Sequence, residues 1–245
     1  MSATFRCIVL IPSYNSGELL RQTVSEVLAV YPYIVVVIDG SHDGSEHSLD
    51  DFLTHHAGLH IVRLRRNGGK GRAVLYGAQW AQQEGYTHVL TMDADGQHPE
   101  YCLHDFMAAG ARRPQAMVLG KPVFGLDAPA LRVWGRKLSN LLVGMETGGK
   151  VKDCLFGFRI YPLLPLIRVM KSSRFMRGFD FDPEIATRLV WAGVPAYNKD
   201  APVQYLSGEL GGISHFHYVR DNVRLTFMHG RLFFEWLRRK RSGTP

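Results

Sequence analysis

The chain has 245 residues, enough for one large α/β domain or two small ones with a sizeable core, and its composition, 46% hydrophobic and 21% charged, is that of a soluble globular protein and not a disordered one. Its three cysteines, Cys7, Cys102 and Cys154, are too few and too scattered for a disulfide scaffold or a cysteine zinc site, and they read as core thiols. The net charge of +7 is concentrated at the end: from Arg220 onward seven Lys/Arg face only Asp221 and Glu235, so the fold itself is nearly neutral and the charge does not indicate nucleic-acid binding.

In chain order, "CIVLIP" (Cys7–Pro12), "IVVVID" (Ile34–Asp39), "IVRLR" (Ile61–Arg65), "VLTMD" (Val89–Asp93) and "AMVLG" (Ala116–Gly120) read as short, nearly continuous apolar strands. Helical patterns lie between them at Gly17–Val30, Ser45–His56, Lys70–Glu84 and Tyr101–Ala111. Such alternation predicts a mostly parallel sheet flanked by helices on both faces. The second half is less regular. Helices are expected at about Leu131–Met145 and over "DFDPEIATRLVWAG", where Asp182, Pro183 and Glu184 form a start signal and Gly193 a stop. Residues 1–218 then form one domain, and 219–245 a basic amphipathic helix and tail.

Polar, Gly-rich segments follow the strands: "SYNSG", "GSHDGS", "RNGGKG" and "ADGQHP". Ligands of open α/β sheets bind outside the carboxyl ends of the strands, so these four loops should share one crevice. "IPSYNSG" lacks the G-x-G-x-x-G of a dinucleotide site, and "NGGKGRA" lacks the upstream Gly and following Ser/Thr of a P-loop. The loops offer instead an aromatic (Tyr14), a carboxylate (Asp39), a lysine (Lys70) and the pair Asp93/Asp95. A ring can stack on a base, and a carboxylate can accept a base imino proton. Paired carboxylates suit a hard divalent cation that shares its oxygen ligands with phosphates. Together they describe a site for a nucleoside diphosphate and a metal.

With "IPSYN" (Ile11–Asn15), "VVVIDGSHDGS" (Val35–Ser45), "NGGKGRAVLYG" (Asn67–Gly77), "MDADGQHPE" (Met92–Glu100), "DCLFGFR" (Asp153–Arg159), "FDFDPE" (Phe179–Glu184) and "GISHF" (Gly212–Phe216), the sequence resembles the inverting family 2 glycosyltransferases of GT-A fold. Within them it is similar to the dolichol-phosphate mannose synthase and polyprenyl-phosphate glycosyltransferase group. The resemblance implies that Pro12, Tyr14 and Asp39 hold base and ribose with Lys70 and Asp93 nearby. It implies that Asp93 and Asp95, with Gln97 and His215 as further ligands, hold Mg2+ or Mn2+ against the diphosphate. It also implies a UDP- or GDP-hexose donor and a membrane-lipid acceptor.

Three positions depart from the family pattern: Ile38 stands for the first of two acids, Lys121 for part of a G-S-R, and Phe156 for a serine. The acceptor stays open between two chemistries. A hydroxyl needs a general base, for which Glu184 or Asp153 are the candidates. A lipid phosphate needs only cations such as Arg132, Arg136 or Arg159. Asp182 and Glu184 also fit ordinary acids at a helix start.

On a helix at about 100° per residue, Arg220, Arg224, Arg231 and Arg238 share one stripe, with Val223, Phe227, Phe233, Phe234, Trp236 and Leu237 filling much of the rest. That pattern suits an anionic membrane surface. "MSATFRC" has no signal-peptide build and no apolar run approaches a membrane span, so a cytoplasmic protein peripherally bound to the inner face of the membrane is expected. The competing readings are a non-catalytic nucleotide-sugar-binding adaptor and, more weakly, a sugar nucleotidyltransferase, which would need a basic Gly-rich loop after the first strand.

Overall fold

A computed structural model describes residues 4–45, 47–96, 98, 100–123, 130–203 and 218–243; of residues 130–134 and 218–219 it describes the backbone alone. Gln97 and His215 therefore lie outside the described residues, as does the Arg132 side chain. In order, the chain forms β1 (Cys7–Ser13), α1 (Gly17–Val30), β2 (Ile34–Asp39), α2 (Phe52–His55), β3 (Leu59–Leu64), α3 (Lys70–Gln83), β4 (His88–Thr91), α4 (Leu103–Arg112), β5 (Met117–Val123), α5 (Ala130–Glu146), β6 (Arg159–Pro162), α6 (Leu163–Ser172), α7 (Phe181–Trp191), β7 (Ala196–Pro202) and α8 (Tyr218–Arg241).

The strands make one seven-stranded sheet in the order β3-β2-β1-β4-β6-β5-β7. β6 runs antiparallel to β4 and β5, and the other described pairings are parallel. Side chains alternate across each strand, so the continuous apolar runs bury both faces. Ile8, Leu10, Val35 and Val37 point to the layer of α3, α6 and α7, where they meet Val74, Leu166, Phe181 and Ile185. Val9, Ile11, Ile34 and Val36 point to the other layer, against Leu20 and Val24 of α1 and Phe106 of α4.

One expected helix is shorter than its pattern implies, and two strands carry no sequence signal. The helix expected at 45–56 is confined to Phe52–His55. Asp43 accepts hydrogen bonds from the Ser45 N–H and hydroxyl, and the Ser48 hydroxyl donates to the Ser45 carbonyl, so short polar side chains outcompete the helical ladder there. Strands β6 and β7 were not anticipated. β6 is four residues opening on a buried arginine, and β7 is an edge strand of mixed polarity, so neither carries an apolar run.

The reversal of β6 matters for the site. Thr91 is paired with Arg159, so the segment entering β6 lies beside the chain leaving β4. "CLFGF" and "DADG", separated by some sixty residues, are thereby placed side by side.

Candidate active site

Four loops do meet at the carboxyl ends of β1, β2, β3 and β4. The first two are tied to each other. The Asn15 N–H donates to the Ser41 hydroxyl (3.0 Å), the His42 N–H to Asn15 Oδ1 (3.0 Å), and the Gly17 N–H to Asp43 (3.0 Å). Tyr14 lies next to them, its ring 6.0 Å from that of His42. Pro12 is half-buried at the end of β1.

Asp39 ends β2, buried, and accepts the N–H groups of Gly68 (3.0 Å) and Gly69 (2.7 Å). Burial raises its pKa even though those two donors and Arg72 favour the anion. The glycines of "NGGKG" thus present their N–H groups to a carboxylate of the protein. They also permit close approach: the Gly71 N–H donates to the Arg177 carbonyl (3.1 Å), and a side chain at Gly69 or Gly71 would collide with the carbonyls of Arg177 and Met176. Asp180 braces that facing segment by accepting the N–H groups of Met176 (3.2 Å) and Gly178 (2.9 Å).

Lys70 opens α3 and is the centre of the cluster. Its ammonium contacts Asp93 Oδ1 at 2.6 Å and Asp182 Oδ2 at 2.7 Å. Burial would discharge it, but the two carboxylates hold its pKa above the ordinary lysine range. Burial would likewise raise Asp93, yet Lys70 and His98 keep it below the usual carboxylate range. Asp95, in the same loop, is partly buried. Gly157 closes over this pair: a Cβ there would lie 2.6 Å from Asp93 Oδ2 and 2.8 Å from Lys70 Nζ. Gly157→Ala should therefore force the Lys70–Asp93 contact apart and cut turnover by about 10-fold or more, since a misplacement near 1 Å is costly. A Gly157→Ala enzyme with wild-type kcat would show that this contact is dispensable.

Asp182 and Glu184 separate cleanly. Two residues apart on a helix, they point about 200° from each other. Asp182, in the first turn of α7, reaches Lys70, and its Oδ1 is buried without a hydrogen-bond partner. Glu184 is 0% exposed and faces α8, where it pairs with Arg188 (2.7 Å) and with both terminal nitrogens of Arg231. Glu184, expected as a base, is the counter-ion of two guanidiniums inside the protein. The same network removes Arg231 from the expected exposed arginine stripe, and Arg188 extends it to Glu235 (2.9 Å).

Three further candidates are also committed to the scaffold. Asp153 is buried and accepts from Arg136 through both oxygens (2.7 Å each), from Asn140 (3.0 Å) and from the N–H groups of Leu155 and Phe156. Burial opposes its ionisation, but Arg136 and Asn140 hold its pKa low, the opposite of what a base requires. Arg136, expected to position the acceptor, is the partner of that base candidate. Arg159, expected in the same role, is 0% exposed and donates to the carbonyls of Phe156 (2.6 Å) and Asp182 (2.7 Å) and to the Tyr161 hydroxyl (3.1 Å). It pins the start of α7 to β6.

His98 was missed, although it stands within "DADGQHPE". It is buried with its ring against Phe156 and Phe158, and its Nδ1 accepts the Asp93 N–H at 3.0 Å. A histidine in a polar loop reads as solvent-exposed, and only the reversal of β6 brings the two rings to it.

A seven-stranded, mostly parallel α/β sheet flanked by helices, with acids and a lysine gathered at its strand ends, is a fold of the GT-A type. The model of "Glycosyl transferase family 2" matches residues 8–168. The polyprenol monophosphomannose synthase of Mycolicibacterium smegmatis is 31% identical over 85% of this chain and 80% of its own length. The undecaprenyl-phosphate mannosyltransferase of Micrococcus luteus is 25% identical over 84% and 86%. Among solved structures, glucosyl-3-phosphoglycerate synthase from Mycobacterium tuberculosis, crystallised with Mn2+, UDP and glucosyl-3-phosphoglycerate, superposes with a TM-score of 0.64 at 16% identity, covering 99% of this chain and 82% of that one. That likeness speaks to the fold alone. The chain belongs to glycosyl transferase family 2.

Proposed function

We propose that this chain transfers a hexose from a nucleoside diphosphate sugar to a lipid phosphate of the polyprenyl type, with inversion at the anomeric carbon. The observation that carries the choice of acceptor is the fate of the two base candidates: Asp153 and Glu184 are both neutralised by arginines. A phosphate acceptor is already an anion and needs no base. The names borne by the two mannosyl-transferring relatives support the same reading. An alcohol acceptor is the weaker reading: Asp182, the third acid of this region, is itself buried and paired with Lys70.

In this reading Pro12, Tyr14 and Asp39 receive the base and ribose, and Asp93 and Asp95 a divalent cation, with Gln97 and His215 as further ligands and Arg132 toward the acceptor. Among the described residues no three His, Cys, Asp or Glu side chains are grouped to enclose an ion. A hard cation of the Mg2+ or Mn2+ kind is commonly held by one or two carboxylates and completes its shell with phosphate oxygens. Bound there, it would neutralise charge developing on the leaving diphosphate. Lys70 keeps Asp93 ionised and fixes the direction of its carboxylate. Asp39 holds the Gly68–Gly69 backbone so that Lys70 stays in place.

Thermal-shift screening tests donor and metal together. A UDP- or GDP-hexose with Mn2+ should raise the Tm by mass action, and the metal-free arm should give a smaller shift. A shift identical with and without the cation removes the metal from the account.

Contact with the membrane would fall to α8. No helix among the described residues is long and apolar enough to cross a membrane. Val223, Phe227 and Phe234 are 64%, 63% and 65% exposed and lie within about 40° of one another on the helix. Exposed Arg220, Arg224 and Arg238 border that strip. Apolar side chains beside arginines match an anionic lipid surface. Phe227→Ser/Phe234→Ser should abolish flotation with phosphatidylglycerol vesicles at unchanged Tm. Undiminished flotation of the double variant would assign lipid binding elsewhere.

A further inference from the structure

The loop carrying Asp95 begins at Asp93, two residues after Thr91 ends β4 and one after Met92, whose N–H still bonds to the Leu10 carbonyl of β1 (3.0 Å). One side chain closes it. His98 Nδ1 accepts the Asp93 N–H at 3.0 Å, so the ring at the far end of the loop is bonded to the backbone at its start. An accepting Nδ1 leaves the proton of the neutral ring on Nε2. Nε2 lies 3.8 Å from Asp93 Oδ2, too long for a hydrogen bond but with its positive edge toward the carboxylate. Asp93 is thus addressed on three sides: Lys70 at Oδ1, the His98 Nε2–H near Oδ2, and His98 Nδ1 at the backbone.

The imidazole is itself held. It is 4% exposed, with the Phe156 ring edge-on at 4.7 Å and Phe158 at 5.5 Å. Phe158 is in turn backed by Phe106 at 4.6 Å. Room for Phe156 exists because residue 120 is glycine: a Cβ there would stand 2.7 Å from the Phe156 ring and 2.6 Å from the Phe158 carbonyl. Phe156, the departure from the family's serine, is therefore a wall of the His98 pocket.

We propose that His98 is a positioning residue that clasps the Asp93–His98 loop and so sets the placement of both Asp93 and Asp95, with Phe156 keeping its ring in register. This rests on the reading of Asp93 and Asp95 as the cation-holding pair. Partners that orient metal-binding groups from behind commonly contribute 10–100-fold in metal affinity.

Two variants separate the accepting atom from the bulk of the ring. His98→Asn keeps an acceptor close to the Nδ1 position, whereas His98→Phe keeps an aromatic ring and removes the acceptor. Mn2+ binding is read by electron paramagnetic resonance on the full chain with Mn2+ alone. His98→Phe should weaken binding by about 10–100-fold, and His98→Asn by no more than about 3-fold. Wild-type affinity in His98→Phe, or equal loss in both variants, would overturn the proposal. A second measurement is independent of the metal: long-range 1H–15N correlation on the wild-type protein should show His98 protonated on Nε2 with Nδ1 accepting. Protonation on Nδ1 would overturn the clasp outright. A wild-type chain that binds no Mn2+ but shows the Nε2–H tautomer would instead sink the cation reading and leave the clasp standing.

Discussion

Asp95→Ala should lower sugar transfer by about 10^3-fold or more and leave the Tm within about 3 °C of wild type, whereas Asp93→Ala should lose both activity and stability. The two carboxylates belong to one motif, and the proposal gives them different duties. Asp93 shares the Lys70 ammonium with Asp182 in a largely buried cluster. Its removal leaves a buried lysine with one partner of two, and disrupting pairs of this kind costs about 2–4 kcal/mol. For a chain of this size that is a fall of about 5–15 °C in Tm. Asp95 is partly buried in the same loop, and in the proposed reading its loss is felt where charge develops on the leaving diphosphate. Differential scanning calorimetry beside a transfer assay on both variants gives the comparison. Equal destabilisation by the two substitutions, or an active Asp95→Ala enzyme, would contradict this division.

Glu146→Gln should stabilise the protein by about 3 kcal/mol at pH 8 and have almost no effect at pH 4. Glu146 ends α5, is 3% exposed, and neither carboxyl oxygen has a hydrogen-bond partner. Its backbone carbonyl accepts the Trp191 indole N–H at 2.9 Å, which fixes it at the end of α7. Burial pushes its pKa from 4.5 up to about 7. Between those values the folded chain retains a proton that the unfolded chain has released. Stability therefore falls as pH rises from about 4.5 to about 7 and stays low above that. Glutamine imitates the protonated form and has no such slope. Urea unfolding across this range measures it, and parallel curves for the two proteins would show that Glu146 ionises at no cost.

The parallel half of the sheet and its four loops were legible because both-face burial forces continuous apolar strands and leaves the polar residues between them. Asp39, Lys70, Asp93 and Asp95 stood out for that reason. The second half was opaque, since β6 begins with Arg159, and an arginine paired entirely with carbonyls and a hydroxyl looks in sequence like one held out to a ligand. Asp153, Glu184, Arg136 and Arg159 share that ambiguity. A charged residue in a motif is equally consistent with reaching a substrate and with neutralising a neighbour, and only the distances separate the two. Asp182 shows the converse: at a helix start it resembled an ordinary dipole acid, yet it reaches Lys70. His98 and Gly157 carried no periodic signal at all. Their roles depend on the reversed strand that brings "CLFGF" against "DADG", a contact that no local pattern encodes.

The central claim is metal-dependent transfer to a lipid phosphate, and it is tested most directly by incubating the full chain with radiolabelled UDP- and GDP-hexoses, Mn2+ and a polyprenyl phosphate. The account predicts a polyprenyl-phosphate hexose of inverted anomeric configuration, formed with one donor and abolished by chelation. Nucleotide-sugar binding without turnover on polyprenyl phosphate or any alcohol acceptor would contradict it and make the chain a binding protein.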